Sequence, residues 1–129
     1  MEKIVWLSKE SVLAMHARQL AEHGGGTGVR DEGLLISALQ RPQNKAAYES
    51  PDLAELAAAY GFGIARNHPF VDGNKRTALV ASRTFLIING FQIGANKEEK
   101  LNTFLSLASG ELTEQELAAW FRKHLVALS

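Results

Sequence analysis

An eleven-residue segment in the middle of the chain gathers side chains suited to phosphoryl or nucleotidyl transfer. It reads Arg66-Asn67-His68-Pro69-Phe70-Val71-Asp72-Gly73-Asn74-Lys75-Arg76. An imidazole that titrates near neutral pH can take the proton from an attacking hydroxyl. A carboxylate can hold Mg²⁺, which bridges phosphate oxygens and neutralises their charge. The segment therefore contains the two kinds of group that such a transfer needs.

The same region carries a positive charge in a chain that is neutral as a whole. The protein has 14 Lys+Arg and 14 Asp+Glu, which argues against a general nucleic-acid binder. Between residues 66 and 83 one carboxylate, Asp72, faces four cations: Arg66, Lys75, Arg76 and Arg83. This local excess predicts a phosphate-sized anionic ligand. Gly73 would let the backbone turn close to a phosphate, and the free N–H groups that open the next helix would stabilise its charge.

Length and composition are those of an ordinary globular domain. The chain has 129 residues, 46% hydrophobic and 22% charged, so we expect one domain over residues 1–129. It contains no cysteine, which excludes disulfides and a thiolate nucleophile. No apolar run approaches the roughly 20 residues of a membrane span, and the N-terminus lacks the apolar core of a signal peptide. We therefore expect a cytoplasmic domain without membrane contacts.

Apolar spacing and capping residues predict an all-α protein of five to seven helices. The first expected helix runs from the cap Ser8 to about His23, and the second from the cap Asp31 through Leu39 to before Pro42. The third follows the N-terminal signal Ser50-Pro51 and runs from Leu53 to about Asn67. The other three run from about Asn74 to Ile88, from about Lys97 to Ala108 and from Glu114 to Leu128. The helix that begins at Asn74 is apolar on nearly all sides, so it should be enclosed by others.

Several stretches have weaker patterns. Residues 41–50 are expected to form a loop or a short hairpin, and Phe91–Ile93 an extended connector rather than part of a sheet. The glycine-rich stretch Gly24–Gly28 lacks a following Gly-Lys-Ser/Thr, so it predicts a flexible loop rather than a P-loop. The other histidines have no ligand-type spacing and are expected at the surface: His16, His23 and His124.

The segment from His68 to Arg76 resembles the Fic motif, HxFx(D/E)GN(G/K)R. Its lysine-containing end, Asn74-Lys75-Arg76-Thr77-Ala78-Leu79, resembles the Doc (death-on-curing) branch, the toxins of Phd–Doc-type toxin–antitoxin modules. The resemblance implies a single-domain Fic/Doc helical bundle in which the motif loop leads into a buried central helix. It also implies ATP and Mg²⁺ as cofactors.

The family's roles transfer to this chain position by position. His68 would be the general base and Asp72 the Mg²⁺ ligand. Five residues would form the nucleotide and phosphate site: Arg66, Gly73, Asn74, Lys75 and Arg76. A flap that aligns the target peptide by backbone pairing would correspond to Lys45, Ala46, Ala47 and Tyr48.

Two departures from AMP-transferring Fic enzymes favour a kinase. Those enzymes usually have glycine at the position of Lys75 and a second arginine at that of Leu79, whereas the Doc branch transfers the γ-phosphate. Val80 stands where at least some Doc proteins have asparagine. The resemblance thus implies γ-phosphate transfer to a Ser/Thr hydroxyl of a translation factor, elongation factor Tu, which would arrest translation. The alternatives are a protein AMP-transferase, or a catalytically silent module that binds an antitoxin or acts as a co-repressor.

The chain lacks the internal brake that many Fic proteins carry, a helix with the pattern (S/T)xxxE(G/N). Glu32-Gly33 is the only Glu followed by Gly or Asn, and residue 28, four positions before Glu32, is glycine. Restraint should then come in trans, from a Phd-like antitoxin whose C-terminal segment folds as an amphipathic helix into an apolar groove of this domain.

Overall fold

The computed structural model describes residues 3–128, in which six helices surround one core and a two-stranded sheet closes one end. The elements are α1 (Lys9–His23), α2 (Glu32–Tyr48), α3 (Leu53–Asn67), α4 (Asn74–Ile88), β1 (Phe91–Ile93), α5 (Lys97–Ser109), α6 (Glu114–His124) and β2 (Leu125–Ala127). The all-α prediction is confirmed. None of these helices has the length and apolar character needed to cross a membrane.

Helix α3 forms the centre of the bundle because its small residues let four neighbouring helices approach closely. Ten of its 15 residues are buried, most of them Ala, Gly or Leu. A Cβ added at Gly61 would lie 2.7 Å from Ser82 Oγ in α4 and 3.1 Å from Phe104 in α5. One added at Gly63 would lie 3.1 Å from the Cα of Ala38 in α2. The motif loop connects this helix directly to α4.

Helix α4 is buried along one face only, although its sequence is apolar on nearly all sides. The buried residues are Asn74, Thr77, Ala78, Ala81, Ser82, Phe85 and Leu86. Near its end, Ile87 and Ile88 are each 42% exposed. Its first turn, by contrast, lies at the motif loop with Asn74 and Thr77 inside the protein.

The prediction that a helix ends before Pro42 and that residues 41–50 form a loop or hairpin is wrong. Helix α2 continues through Pro42 to Tyr48 and closes with the Glu49 N–H donating to the Lys45 carbonyl at 2.9 Å. Proline leaves one helical hydrogen bond unmade. Pro42 is itself buried, Ala38 packs closely on Gly63 of α3 before it, and Ala46 packs against the core after it, so tertiary packing holds the helix on both sides of the gap.

Two other boundaries differ from the prediction. Helix α3 is capped by Asp52 rather than Ser50-Pro51, in a reciprocal capping box with Glu55. Helix α6 ends at His124 instead of Leu128, because the chain then forms β2, which pairs antiparallel with β1. The expectation that Phe91–Ile93 is a connector outside any sheet is therefore wrong. The predicted caps Ser8 and Asp31 are confirmed, and Thr113 caps α6 in a reciprocal capping box with Glu116.

Candidate functional site

His68 stands at a strained corner where α3 ends. With φ 55° and ψ 52°, it is the only residue other than glycine that has a positive φ in residues 3–128. Such a conformation persists only where the surroundings enforce it, and it is common at functional sites. Arg30 supplies the restraint, since its guanidinium donates to the carbonyls of His68 (2.7 Å) and Asn67 (3.0 Å). No sequence pattern distinguishes Arg30.

The glycine-rich stretch after α1 is a backbone partner of the motif loop. Val29 and Phe70 form an antiparallel bridge, in which the Arg30 N–H donates to the Pro69 carbonyl at 2.7 Å and the Val71 N–H donates to the Gly28 carbonyl at 3.1 Å. Phe70 is fully buried and anchors the loop in the core. The stretch expected to be a flexible loop thus supports the site.

Asn74 ties the two ends of the loop together. Its Oδ1 accepts from the Phe70 N–H at 2.9 Å, and its Nδ2 donates to the Phe70 carbonyl at 3.0 Å. The same Nδ2 lies 3.1 Å from Nδ1 of His68. Only 4% of Asn74 is exposed, so this side chain shapes the loop from inside rather than projecting into solvent.

The carboxylate of Asp72 is held by backbone N–H groups from both sides. Gly73 donates to Oδ1 at 2.9 Å and Gly26 donates to Oδ2 at 3.3 Å. Each oxygen keeps a further lone pair, and the residue is exposed, so it can still bind a metal ion. Within residues 3–128, no group of three His, Cys, Asp or Glu side chains could enclose a metal. A single exposed carboxylate is a kind of ligand that suits Mg²⁺, whose remaining ligands are commonly phosphate oxygens and water.

The start of α4 offers a binding site for an anion. Gly73 precedes it with φ 77°, and no side chain of the described residues caps it, so the first-turn N–H groups stay free. A cleft of about 290 Å³ opens there, lined by Ala65, His68, Asp72, Gly73, Asn74, Lys75, Arg76 and Ala108. The structure thus brings six of the predicted site residues to one cleft.

Five predicted site residues lie elsewhere. The guanidinium of Arg66 packs over the Phe62 ring, 5.5 Å from its centroid, outside the group that lines the cleft. The predicted flap is the last turn of α2: Lys45, Ala46, Ala47 and Tyr48. An extended strand is not formed, because helical hydrogen bonds occupy the N–H groups of this turn. Lys45 and Tyr48 instead line a separate pocket of about 360 Å³, which Asn67 connects to the His68 corner.

The prediction that the other histidines lie at the surface is wrong for His16 and His124. His16 is 5% exposed, stacks on Phe70 and lies with Nε2 2.8 Å from the Asp72 carbonyl. His124 packs against Trp120, with 17% of its side chain exposed. His23 is exposed as expected, and its Nε2 lies 3.3 Å from the guanidinium of Arg76.

Comparison with known proteins matches the segment that builds the site. The model of the Fic/DOC family matches residues 6–86, which include α1, the glycine-rich stretch, α2, α3 and all but the last two residues of α4. The protein named "Protein kinase doc" of Escherichia phage P1 is 35% identical over 118 residues, 91% of this chain and 93% of the relative. The protein named "Toxin Doc" of Mycolicibacterium smegmatis is 48% identical over 95 residues, 70% of this chain and 69% of the relative.

Proposed function

Because this chain belongs to the Doc branch of the Fic/Doc family, we propose that it is the toxin of a type II toxin–antitoxin system and acts as an ATP-dependent protein kinase. One observation carries the proposal: His68, Asp72 and the uncapped start of α4 share one cleft with Lys75 and Arg76. The γ-phosphate of ATP goes to a Ser/Thr hydroxyl of a translation factor, for which elongation factor Tu is the first candidate. Translation then stops.

Each residue of the cleft has a distinct task in this proposal. The first-turn N–H groups of α4 bind phosphate oxygens, while Lys75 and Arg76 add positive charge beside them. Asp72 is the protein ligand for Mg²⁺, which supplies charge neutralisation on the phosphates when it is bound. His68 takes the proton from the target hydroxyl, and its exposed position leaves room for a protein substrate.

The residues at positions 75 and 79 are the reason for proposing transfer of the γ-phosphate of ATP rather than of AMP. Lys75 adds a cation to the anion site, and the half-buried Leu79 packs against the core where AMP-transferring relatives of the family usually have an arginine. Both features favour γ-phosphate transfer over AMP transfer. Lys75→Gly should lower kinase activity, and AMP transfer need not appear because Leu79 remains.

Labelled ATP tests the reaction directly. The protein is incubated with purified elongation factor Tu, and in parallel with cell extract, in the presence of ATP labelled at either the γ- or the α-phosphate. We expect the γ-label alone to reach a protein target. Transfer of the α-label would make the protein an AMP-transferase. Absence of both labels from every protein would favour a silent module that binds an antitoxin or co-represses.

Variants of His68 test whether transfer of the labelled phosphate depends on this site. His68→Ala should reduce transfer by about 10²–10⁴-fold and abolish toxicity on expression. His68→Asn is the matched control for the backbone, because asparagine tolerates the left-handed conformation but cannot act as the base. We expect both variants to fold and both to be inactive. Wild-type toxicity in either folded variant would remove His68 from the mechanism.

A Phd-like antitoxin restrains the enzyme in trans. A groove of about 350 Å³ between α1, α4 and α5 supports this part of the proposal, since it combines apolar and basic side chains and includes Arg76 of the cleft. Its apolar side chains are Leu79, Val80 and Leu101, and its cations include Arg83, Lys97 and Lys100. An amphipathic helix bound there would cover the start of α4. The chain should be toxic alone, and its genomic neighbour should bind it and raise its melting temperature.

A further inference from the structure

His16 is a buried histidine of α1 that contacts the motif loop from 56 residues away in sequence. Its ring lies parallel to the ring of Phe70, with 3.8 Å between centroids and 8° between planes. Its Nε2 lies 2.8 Å from the backbone oxygen of Asp72, so the Nε2–H donates to that carbonyl. The ring is thus fixed by one face and one edge.

That hydrogen bond acts on the Asp72 carboxylate through a rigid peptide. The peptide between Asp72 and Gly73 is planar and trans, so fixing its carbonyl also fixes its N–H on the opposite side. The N–H of Gly73 is the group that donates to Asp72 Oδ1 at 2.9 Å. The direction of the carboxylate therefore depends on the peptide that His16 holds.

The other carboxylate oxygen is held by the glycine-rich stretch that follows the same helix. Gly26 donates to Oδ2 at 3.3 Å, and a Cβ on Gly25 would lie only 2.8 Å from that oxygen. Helix α1 and the residues after it thus contribute both the His16 contact and the Gly26 contact. Asp72 is exposed, and its carboxylate accepts no hydrogen bond from a side chain of the described residues. Its orientation therefore relies on these two backbone contacts.

We propose that His16 is a positioning residue, whose hydrogen bond to the Asp72 carbonyl orients the Asp72 carboxylate toward a divalent cation bound with a nucleotide. The inference rests on the proposed function, in which Asp72 is the metal ligand. Partners that orient a metal ligand typically change metal affinity or activity by about 10–100-fold when they are removed. His16 belongs to this class of partner and does not touch the metal itself.

Two substitutions separate the hydrogen bond from the packing. His16→Phe keeps an aromatic ring to stack on Phe70 but leaves the Asp72 carbonyl without a donor. His16→Gln loses the ring but places an amide N–H at a similar distance from the backbone. Val12→Ala is the control, because Val12 is a fully buried residue of the same helix whose truncation lowers stability but which has no polar atom to hold the Asp72 carbonyl.

The test is Mn²⁺ binding in the presence of a non-hydrolysable ATP analogue, followed by electron paramagnetic resonance, with no target protein added. We expect His16→Phe to weaken Mn²⁺ binding by about 10-fold. His16→Gln should lie closer to the wild type than to His16→Phe, and Val12→Ala should bind like the wild type. Circular dichroism confirms that each variant is folded.

The outcomes distinguish this inference from the proposed function. If the wild type and His16→Phe bind Mn²⁺ equally well, the positioning role is wrong and the kinase proposal stands. If His16→Gln is as weak as His16→Phe, the hydrogen bond is not the cause and the inference is overturned. If the wild type itself does not bind Mn²⁺ with the nucleotide analogue, the metal site fails and both ideas fail together.

Discussion

The side-chain nitrogen of Asn74 donates a hydrogen bond to Nδ1 of His68, at 3.1 Å. The orientation of the Asn74 amide follows from its other contacts, because Oδ1 accepts from the Phe70 N–H and Nδ2 donates to the Phe70 carbonyl. The second hydrogen of Nδ2 therefore points to His68, whose Nδ1 must carry a lone pair. A neutral ring in this state has its proton on Nε2.

Nitrogen-15 NMR on histidine-labelled protein tests the tautomer. We expect the resting His68 ring at neutral pH to show a protonated Nε2 and an unprotonated Nδ1. Base action through Nε2 requires the other tautomer, in which Nδ1 carries the proton and the hydrogen bond from Asn74 is given up, so we expect the pattern to reverse when an ATP analogue and Mg²⁺ bind. A resting ring protonated on Nδ1 would contradict the hydrogen bond from Asn74.

Asn74→Ala should destabilise the fold as well as inactivate the site. The substitution leaves the buried N–H and carbonyl of Phe70 without partners, at about 1–3 kcal/mol each, so we expect a loss of about 2–6 kcal/mol in the free energy of unfolding. Asn96→Ala removes only the exposed cap of α5 and should cost about 1 kcal/mol. Urea denaturation measures both, and equal losses would show that Asn74 has no special structural role.

Arg30→Ala should lower the rate of phosphate transfer, because Arg30 holds the backbone of His68. Without its guanidinium the carbonyls of Asn67 and His68 lose their donors, and the strained His68 corner is free to relax. Misplacing a catalytic group by even 1 Å costs up to about 10²-fold, so we expect transfer to fall by roughly 10-fold or more. The control is Arg18→Ala, which breaks only an exposed pair with Glu22. Equal rates for the two variants would count against a restraint by Arg30.

Thr77→Val should stabilise the protein. The Thr77 hydroxyl oxygen is fully buried and has no hydrogen-bond partner among residues 3–128. Removing an unsatisfied polar atom without changing the shape of the side chain should gain about 1 kcal/mol. Ser82→Ala is the opposite case, because the buried Ser82 hydroxyl donates to the Ala78 carbonyl at 2.9 Å, with the Ala57 carbonyl 3.2 Å away. Thermal melting should show a rise for Thr77→Val and a fall for Ser82→Ala.

The contribution of Asp52, the cap of α3, to the free energy of unfolding should depend on pH. Burial opposes ionisation of Asp52, but hydrogen bonds from Arg122 and the Glu55 N–H outweigh it, so the pKa of this carboxyl lies below its ordinary value of 3.8. A pKa lowered by folding adds stability above the unfolded pKa, and this is lost as the pH falls through the folded pKa. Asp52→Asn keeps the cap and should cost about 0.5–1 kcal/mol at pH 7 but little at pH 2–3. An equal cost at both pH values would contradict the charge effect.

Local patterns in the sequence are enough to predict where the six helices begin and which residues of the motif line the cleft. Capping residues such as Ser8 and Thr113 bond to the backbone three positions ahead, so their effect is visible in a short window. The motif likewise places His68, Asp72 and Lys75 within eight residues, and one loop is enough to bring them to one cleft.

The features that the sequence did not reveal depend on contacts between distant segments. Strand β1 pairs with β2 more than 30 residues later, and helix α2 continues past Pro42 because of its packing on α3. His16 and Arg30 act on the loop from 56 and 38 residues away. Neither has a neighbour in sequence that would mark it, so only the fold identifies these contributions.

The central position of α3 also affects when the protein becomes competent during its synthesis. The elements that meet at His68 end with α4 at residue 88, but Gly61 of α3 packs against Phe104 of α5 and Leu117 of α6. At about 5–20 residues per second, the ribosome needs roughly 2–7 s to pass from the end of α4 to the end of α6. Until then a large apolar face of α3 has no cover, and the His68 corner lacks rigid support. The proposed toxin should therefore become active only after translation of α6, the last helix to join the bundle.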